Sequence, residues 1–286
     1  MPETAPTVEA VLGWAVQCLS DAGISSPRRE AQTIWRAISD RSAVEVWFDR
    51  GSGAASDELS RFREAVTRRS DGEPIAYACG TVGFRHLTLR TDRRALIPRP
   101  ESEGLIDLAL QAQPSGSALD LGTGSGCLAL ALADEGDYHS IVGIDRSTEA
   151  IALARENGRM LGLEVEWQLG IWGRPVAGRR FDLVVSNPPY LTTGEVASVD
   201  PSVGHHEPAL ALDGGQDGLR ATAELLTDVS AILSPGGYLV LELDARRAEE
   251  TAALLPADQW ETITITKDLF GRSRYLTARR GKTSHD

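Results

Sequence analysis

The chain has 286 residues, 42% hydrophobic and 24% charged, which is typical of a globular protein with one large domain or a core domain plus a smaller one. A formal net charge of -12 argues against a surface built to follow nucleic-acid phosphates, which needs clustered Lys and Arg. The three cysteines are widely spaced, the N-terminus carries acid rather than base, and no apolar run reaches about 18 residues. These features predict a cytoplasmic protein with reduced thiols and no membrane span.

Residues 1–72 are predicted to form a small helical bundle. Apolar residues recur at helical spacing in two runs, the first Val8, Val11, Leu12, Ala15 and Leu19, the second Ala31, Ile34, Trp35 and Ile38. Shorter helices are predicted over residues 42–48 and 56–66. We expect the large aromatic residues Trp14, Trp35, Trp47 and Phe48 to form the core of this bundle, since small bundles depend on burying such side chains.

Residues 73–98 change to short alternating segments, at Thr81 to Phe84 and Leu87 to Leu89, which predict a linking β-hairpin. From residue 99 to 286, apolar runs alternate with helical stretches. Strands are predicted at about residues 118–121, 140–144, 165–168, 182–186, 237–243, 260–265 and 275–278. This alternation predicts an α/β domain with a mainly parallel sheet covered by helices on both faces. The tail after Arg280 is expected to be disordered.

A rigid polar turn, Asn187-Pro188-Pro189-Tyr190, follows the apolar run 181–186. Proline cannot donate to a sheet ladder, so the strand must stop near Asn187 and continue as an extended turn. Ligands of open α/β sheets bind at the carboxyl ends of strands. The turn is therefore a candidate reaction site, although a lone turn of this kind is also compatible with an ordinary loop.

A glycine-rich turn, Gly122-Thr123-Gly124-Ser125-Gly126, joins a predicted strand to a predicted helix. Such turns let a ligand approach the backbone, but alone they do not distinguish a dinucleotide from S-adenosylmethionine. Asp145 ends the next strand about 20 residues further on, the interval at which an acid reaches a ribose diol. The alternative for Asp145 is a cap of the following helix. The glycine spacing is shorter than the Gly-x-Gly-x-x-Gly fingerprint of NAD enzymes.

Motif blocks in one order extend from about residue 74 to the end of the chain. They are Pro74-Ile75-Ala76-Tyr77 with Gly80, Leu96-Ile97-Pro98-Arg99-Pro100-Glu101, Asp120 to Gly126, Asn187 to Tyr190, Glu207-Pro208 with Ala211-Leu212, Gly215 with Asp217-Gly218-Leu219, and Asp268 with Gly271-Arg272 and Arg274. In these blocks the chain resembles the class I S-adenosylmethionine-dependent methyltransferases, and within them the HemK/PrmC family, which methylates a glutamine side-chain amide of peptide chain release factors. The resemblance implies a Rossmann-like sheet of seven strands and a substrate-recognition role for residues 1–72.

The resemblance also implies the site residues. Cofactor binding falls to Gly122, Thr123, Gly124, Ser125, Gly126, Asp145, Trp172 and Asn187. The catalytic and substrate-binding turn comprises Asn187, Pro188, Pro189 and Tyr190, with Arg99 and Glu207 as further substrate-binding residues; Glu207 is equally compatible with a purely structural ion pair to Arg99. The implied cofactor is S-adenosyl-L-methionine, which leaves as S-adenosyl-L-homocysteine. The implied partner is a release factor, and we expect a monomer without nucleic acid, membrane or bound metal.

Three positions depart from the family pattern. Ile171 stands before Trp172 where an acid is usual, Asp244 replaces the glycine after the fifth strand, and Ser102 replaces a threonine. The adjacent His205 and His206 lack the spacing of a helical metal pair. Rival functions are methylation of adenine amino groups in nucleic acid, methylation of another protein or of a small-molecule amide or amine, and a non-catalytic cofactor-binding protein.

Overall fold

The computed structural model describes residues 5–282, apart from the side chain of Pro201. The expected disorder of the C-terminal tail therefore falls, from residue 283 onward, outside the described residues. The α-helices are α1 (Val8–Asp21), α2 (Pro27–Ser39), α3 (Ala43–Phe48), α4 (Ser56–Ser70), α5 (Ile75–Cys79), α6 (Glu103–Ala112), α7 (Cys127–Glu135), α8 (Thr148–Leu161), α9 (Thr193–Val196), α10 (Pro201–Gly204), α11 (Arg220–Ile232) and α12 (Ala248–Ala253). The strands are β1 (Thr81–Phe84), β2 (Leu87–Arg90), β3 (Ser115–Leu121), β4 (Asp137–Asp145), β5 (Glu166–Leu169), β6 (Phe181–Ser186), β7 (Leu233–Glu242), β8 (Trp260–Lys267) and β9 (Ser273–Arg280). Within residues 5–282, no helix is long and apolar enough to cross a bilayer.

Two compact units are formed, one by the described residues up to 82 together with 201–206, and one by residues 83–200 and 207–282. In the first unit the predicted apolar stripe of α1 is buried as expected. Thr7 caps that helix by accepting a hydrogen bond from the Ala10 amide. Trp35 of α2 is fully buried against Phe62, with ring centroids 5.0 Å apart. Burial of such rings supplies much of the stability of a small bundle.

The predicted aromatic core of the first unit is wrong for two residues. Trp47 and Phe48 are 59% and 72% exposed, and Trp14 is 40% exposed although it still contacts Phe62. The reason is the length of α3: it spans 6 residues and buries Val46 alone, so its consecutive aromatic residues point away from the core.

The second unit contains a seven-stranded sheet in the order β5-β4-β3-β6-β7-β9-β8. Its first five strands pair in parallel, and β9 runs antiparallel to both β7 and β8. The predicted fold class is confirmed, including the two-stranded β1-β2 hairpin. The central strands are apolar on both faces because helices cover both sides of a parallel sheet. Leu119, Val142, Val184, Leu239 and Leu276 are each fully buried, which stabilises the fold by about 1.5–3 kcal/mol per side chain.

The strand order reverses between β3 and β6, because the chain winds outward from β3 to β5 on one side and from β6 to β7 on the other. A doubly wound sheet opens a crevice at such a switch point, on the side of the strands' carboxyl ends. The glycine-rich turn follows β3 and the Asn187 turn follows β6. The topology therefore sets the two predicted motifs on opposite sides of one crevice.

Candidate active site

A cavity of about 400 Å³ opens at this crevice, within the range of small-molecule sites. Its walls include Gly122, Gly124, Asp145, Trp172, Asn187 and Pro189 among the predicted site residues, together with Ala95, Leu96, Ile144, Ile171, Ala209, Leu210 and Glu224. Thr123, Ser125, Gly126, Pro188, Tyr190, Arg99 and Glu207 lie outside these walls. The structure thus brings six predicted residues from four strand ends to one cavity.

The glycine-rich turn has the backbone conformation that requires glycine. Gly122, Gly124 and Gly126 have φ angles of 74°, 56° and 86°, in the left-handed region that side chains disfavour. The amides of Gly122 and Thr123 both donate to the Ile144 carbonyl of β4, at 2.9 Å. The turn is thereby fixed to the neighbouring strand, and a Cβ at Gly122 would stand 3.7 Å from the ring of Trp172.

Asp145 links the glycine-rich turn to the start of α8. One carboxylate oxygen accepts from the Gly124 amide at 2.9 Å, and the other accepts from the Ser147 amide at 2.9 Å. The helix-cap alternative is wrong, since Ser147 is the residue that caps α8, by accepting from the Ala150 amide. Burial raises the pKa of Asp145, against the hydrogen bonds from Ser147 and Gly124, which lower it.

Asp120 is a buried acid beneath the glycine-rich turn whose role the sequence did not reveal. Its Oδ2 atom accepts from the Thr123 hydroxyl at 2.6 Å and from the Ala129 amide at 3.2 Å, while within residues 5–282 its Oδ1 atom has no hydrogen-bond partner. Complete burial raises the pKa of Asp120 to about 7. The only sequence signal for this role of Asp120 was the presence of an acid in an otherwise apolar strand.

Trp172 forms the wall beside Gly122, and its φ of 46° is unusual for a residue with a side chain. The indole nitrogen lies 3.5 Å from the Glu224 carboxylate of α11, and the next amide, Gly173, donates to Asp228 of the same helix at 3.1 Å. Ile171, which occupies the usual position of an acid, also lines the cavity. Glu224 therefore brings a carboxylate to this wall from an element that the sequence did not suggest.

The Asn187 turn is held by hydrogen bonds on both sides. The Ser186 hydroxyl donates to the Leu121 carbonyl at 2.5 Å, which links the ends of β6 and β3. Leu191, directly after the turn, donates to Leu212 at 3.1 Å and accepts from Gly214 at 2.8 Å. A Cβ at Gly214 would lie 2.7 Å from the Pro189 carbonyl oxygen, so this close approach of backbone requires glycine.

The side chain of Asn187 is oriented by two buried residues. Its Nδ2 atom donates to the Ser102 hydroxyl at 3.1 Å, and that hydroxyl donates to Glu242 Oε2 at 2.5 Å. Burial, followed by the charge of Glu242, raises the pKa of neighbouring Tyr190 from 10.0 to about 12, so this phenol is even less able than an ordinary tyrosine to ionise. The turn thus presents hydrogen-bonding and packing groups but no base.

Glu207 forms an ion pair with Arg99 at 2.6 Å and accepts from the Ile97 amide at 3.2 Å. Its side chain is only 1% exposed, whereas that of Arg99 is 33% exposed. The ion pair considered for these two residues is therefore present, and neither residue reaches the cavity wall.

The remaining polar positions serve local structure. Asp244 caps a short helix by accepting from the Arg246 amide at 3.0 Å. It also pairs with the Arg246 and Arg247 guanidiniums, which neutralise its charge at this strand end. Asp268 pairs with Arg274 at 3.2 Å across the β8-β9 hairpin. The part of the chain from 5 to 282 contains no group of three or more His, Cys, Asp or Glu side chains arranged to hold a metal.

Comparison with known proteins matches most of this chain to one family. A model of the PrmC N-terminal domain matches residues 10–80, and a model of the methyltransferase small domain matches residues 102–203. The release factor glutamine methyltransferase of Caulobacter vibrioides is 36% identical over 277 residues, covering 94% of this chain and 96% of that protein. The chain belongs to the release factor glutamine methyltransferase (PrmC/HemK) family. The resemblance deduced from the motif blocks is confirmed.

A second member of the family, from Deinococcus radiodurans, is 37% identical over 273 residues and covers 94% of this chain and 97% of its own length. The chain is also similar in structure to a methyltransferase from Pyrococcus furiosus, with a TM-score of 0.53 at 19% identity, over 79% of this chain and 100% of that one. This structural likeness concerns the fold alone. The family match, in contrast, covers 96% and 97% of the lengths of these two relatives.

Proposed function

We propose that this protein transfers a methyl group from S-adenosylmethionine to the side-chain amide nitrogen of a glutamine in a peptide chain release factor, the glutamine of its Gly-Gly-Gln sequence. One observation carries the proposal: in this member of the family, the Asn187 turn faces the glycine-rich turn across the switch point of the sheet. A planar amide held at the first turn then meets a ligand held at the second.

The residues around the cavity fit the cofactor. The positive φ angles of Gly122 and Gly124 leave their backbone open to close approach, which a Cβ would obstruct. The Asp145 carboxylate is suited to a ribose diol, and Trp172 offers an aromatic face for a purine. When bound, S-adenosylmethionine supplies a methyl group on an electrophilic sulfonium. Together these groups support binding of the cofactor in this cavity.

The Asn187 turn is suited to hold the methyl acceptor, which is the side-chain amide of the substrate glutamine. An amide nitrogen is a poor nucleophile because its lone pair is delocalised into the carbonyl, so orientation matters more than a base. Asn187 Oδ1 and the Pro188 carbonyl are acceptors for the two amide hydrogens, and Tyr190 is suited to pack on the amide plane. The nitrogen becomes more acidic as it gains the methyl group, so the proton leaves without a strong base. The neutral Tyr190 phenol agrees with this division of roles.

The proposal is tested by methyl transfer into a cell extract from radiolabelled S-adenosylmethionine, followed by mass spectrometry of the labelled species. Label in a release factor at the Gly-Gly-Gln glutamine is the expected result. Label in nucleic acid or in a small metabolite would reject the proposal in favour of one of the rival methyltransferase functions.

A further inference from the structure

A buried hydroxyl and a buried carboxylate lie directly behind the Asn187 turn and take no part in the proposed chemistry. Ser102 is 3% exposed and ends the short helical turn that precedes α6, and Glu242 is 2% exposed at the carboxyl end of β7. Burying a carboxylate is costly unless its hydrogen bonds are satisfied. Such a group at a strand end, beside the crevice, calls for a reason beyond packing.

We propose that Ser102 and Glu242 are positioning residues that fix the orientation of the Asn187 amide, so that Oδ1 faces the acceptor. This inference rests on the proposed function, because it explains how the turn receives an amide. It follows from the chain of two hydrogen bonds, 3.1 Å from Asn187 to Ser102 and 2.5 Å from Ser102 to Glu242.

With Glu242 ionised, the hydrogen positions along these two hydrogen bonds have one consistent assignment. An ionised carboxylate can only accept hydrogen bonds, so the Ser102 hydroxyl donates its one hydrogen bond to Glu242. The Ser102 oxygen is then available to Asn187 as an acceptor, and Nδ2 is the only amide atom that donates. The Asn187 Oδ1 atom accepts no hydrogen bond within residues 5–282 and is therefore available to the substrate. The buried carboxylate therefore determines which end of the Asn187 side chain meets the substrate.

The surroundings hold this chain in place. The turn containing Ser102 is anchored to β9 by the Tyr275 hydroxyl, which donates to the Glu101 carbonyl at 2.6 Å. A Cβ at Gly104 would lie 2.4 Å from that hydroxyl, so the glycine permits the approach. Burial raises the pKa of Glu242, whereas the Ser102 hydrogen bond and the charges of Arg274 and Arg99 lower it and Glu101 raises it further. Burial is the largest of these effects, so the pKa of Glu242 is raised overall, while the Ser102 hydrogen bond and the two arginines act against it in favour of the ionised form.

A kinetic comparison of variants tests the inference. Ser102→Ala removes the link and Ser102→Thr restores a hydroxyl. Ser230→Ala is the control, since Ser230 is a partly buried serine whose hydroxyl donates to the Leu226 carbonyl within α11. With S-adenosylmethionine and a purified release factor, we expect Ser102→Ala to lower kcat about 10- to 100-fold, the cost of a misplaced reacting group, with cofactor Kd unchanged. Ser102→Thr and Ser230→Ala should retain most of the wild-type kcat.

The coupling is tested with Glu242→Gln, whose side chain both donates and accepts and so no longer imposes one polarity. We expect a lower kcat, and we expect the double variant with Ser102→Ala to be no slower than Ser102→Ala alone. Multiplying effects, or a kcat of Ser102→Ala equal to that of the control, would overturn the inference.

A readout independent of the acceptor completes the test. In ¹H–¹⁵N NMR spectra, the Asn187 side-chain amide signals, assigned by their loss in Asn187→Asp, should shift in Ser102→Ala and stay in place in Ser230→Ala. Unchanged signals would contradict the orienting role. A wild-type enzyme that leaves the release factor unmodified would instead refute the proposed function, and the NMR result would still decide whether Ser102 orients Asn187.

Discussion

The Asn187 side-chain nitrogen lies 3.1 Å from the Ser102 hydroxyl, which joins the end of β6 to the turn before α6 across 85 residues of sequence. Glu242 extends this connection to the end of β7. The acceptor side of the crevice is therefore built from three separate segments, whereas the cofactor side consists mainly of the glycine-rich turn and Asp145. Substitutions on the two sides should have separable effects.

Replacement of Asn187 by Ala should abolish methyl transfer and leave cofactor binding largely intact. The substitution removes the Oδ1 acceptor for the substrate amide but leaves the glycine-rich turn and Asp145 in place. Radiolabel transfer measures the first effect and isothermal titration calorimetry the second. Weakened cofactor binding combined with normal turnover at saturation would contradict this role.

Replacement of Asp145 by Ala should weaken cofactor binding by about 1–3 kcal/mol, the usual cost of leaving polar groups of a ligand unpaired. Calorimetry measures the change directly. Asp137→Ala is the matched control, because Asp137 begins the same strand with an exposed side chain. Equal affinities in the two variants would refute the ribose assignment.

Replacement of Glu207 by Gln should lower the free energy of unfolding by about 1–3 kcal/mol, because Arg99 loses its ionic partner, the buried Glu207 carboxylate. Asp57→Asn is the control: its pair with Arg61 is 79% and 56% exposed, and exposed pairs contribute under about 1 kcal/mol. Denaturant unfolding compares the two. A Glu207→Gln variant as stable as the control would show that the ion pair is not structural.

The free energy of unfolding of the Asp120→Asn variant, relative to that of the wild type, should increase as the pH rises from 4 to 7. Burial raises the pKa of Asp120 to about 7 from an ordinary value of 3.8. In that interval the unfolded chain has released its proton and the folded chain still holds it, so wild-type stability falls with rising pH. The Asn variant lacks this dependence. Unfolding free energies that differ by the same amount at every pH would contradict the raised pKa.

Local features of the fold and site could be predicted from the sequence. The strands and the β1-β2 hairpin follow from periodicity, and the glycine-rich turn and the Asn187 turn are consecutive residues whose conformations are set by glycine and proline. The bundle was predicted less well at Trp47 and Phe48. Residue type alone does not tell which face of a 6-residue helix meets the core.

Contacts between distant segments could not be predicted in the same way. The bond from Ser102 to Glu242 connects residues 140 apart, and Glu224 reaches the wall of the cavity from α11. Neither contact has a sequence pattern, since each depends on the packing of elements around the sheet. Asp120 left a weak signal, a charge within an apolar strand, that becomes interpretable once Thr123 and Ala129 are seen to bond to it.

Methylation of the release factor is tested most directly by tandem mass spectrometry of a purified release factor after incubation with S-adenosylmethionine and either the wild-type protein or Asn187→Ala. We predict one added methyl group on the side-chain amide of the Gly-Gly-Gln glutamine with the wild type and an unmodified glutamine with the variant. A release factor left unmodified by the wild-type protein, or methylated at another residue, would contradict the proposed function.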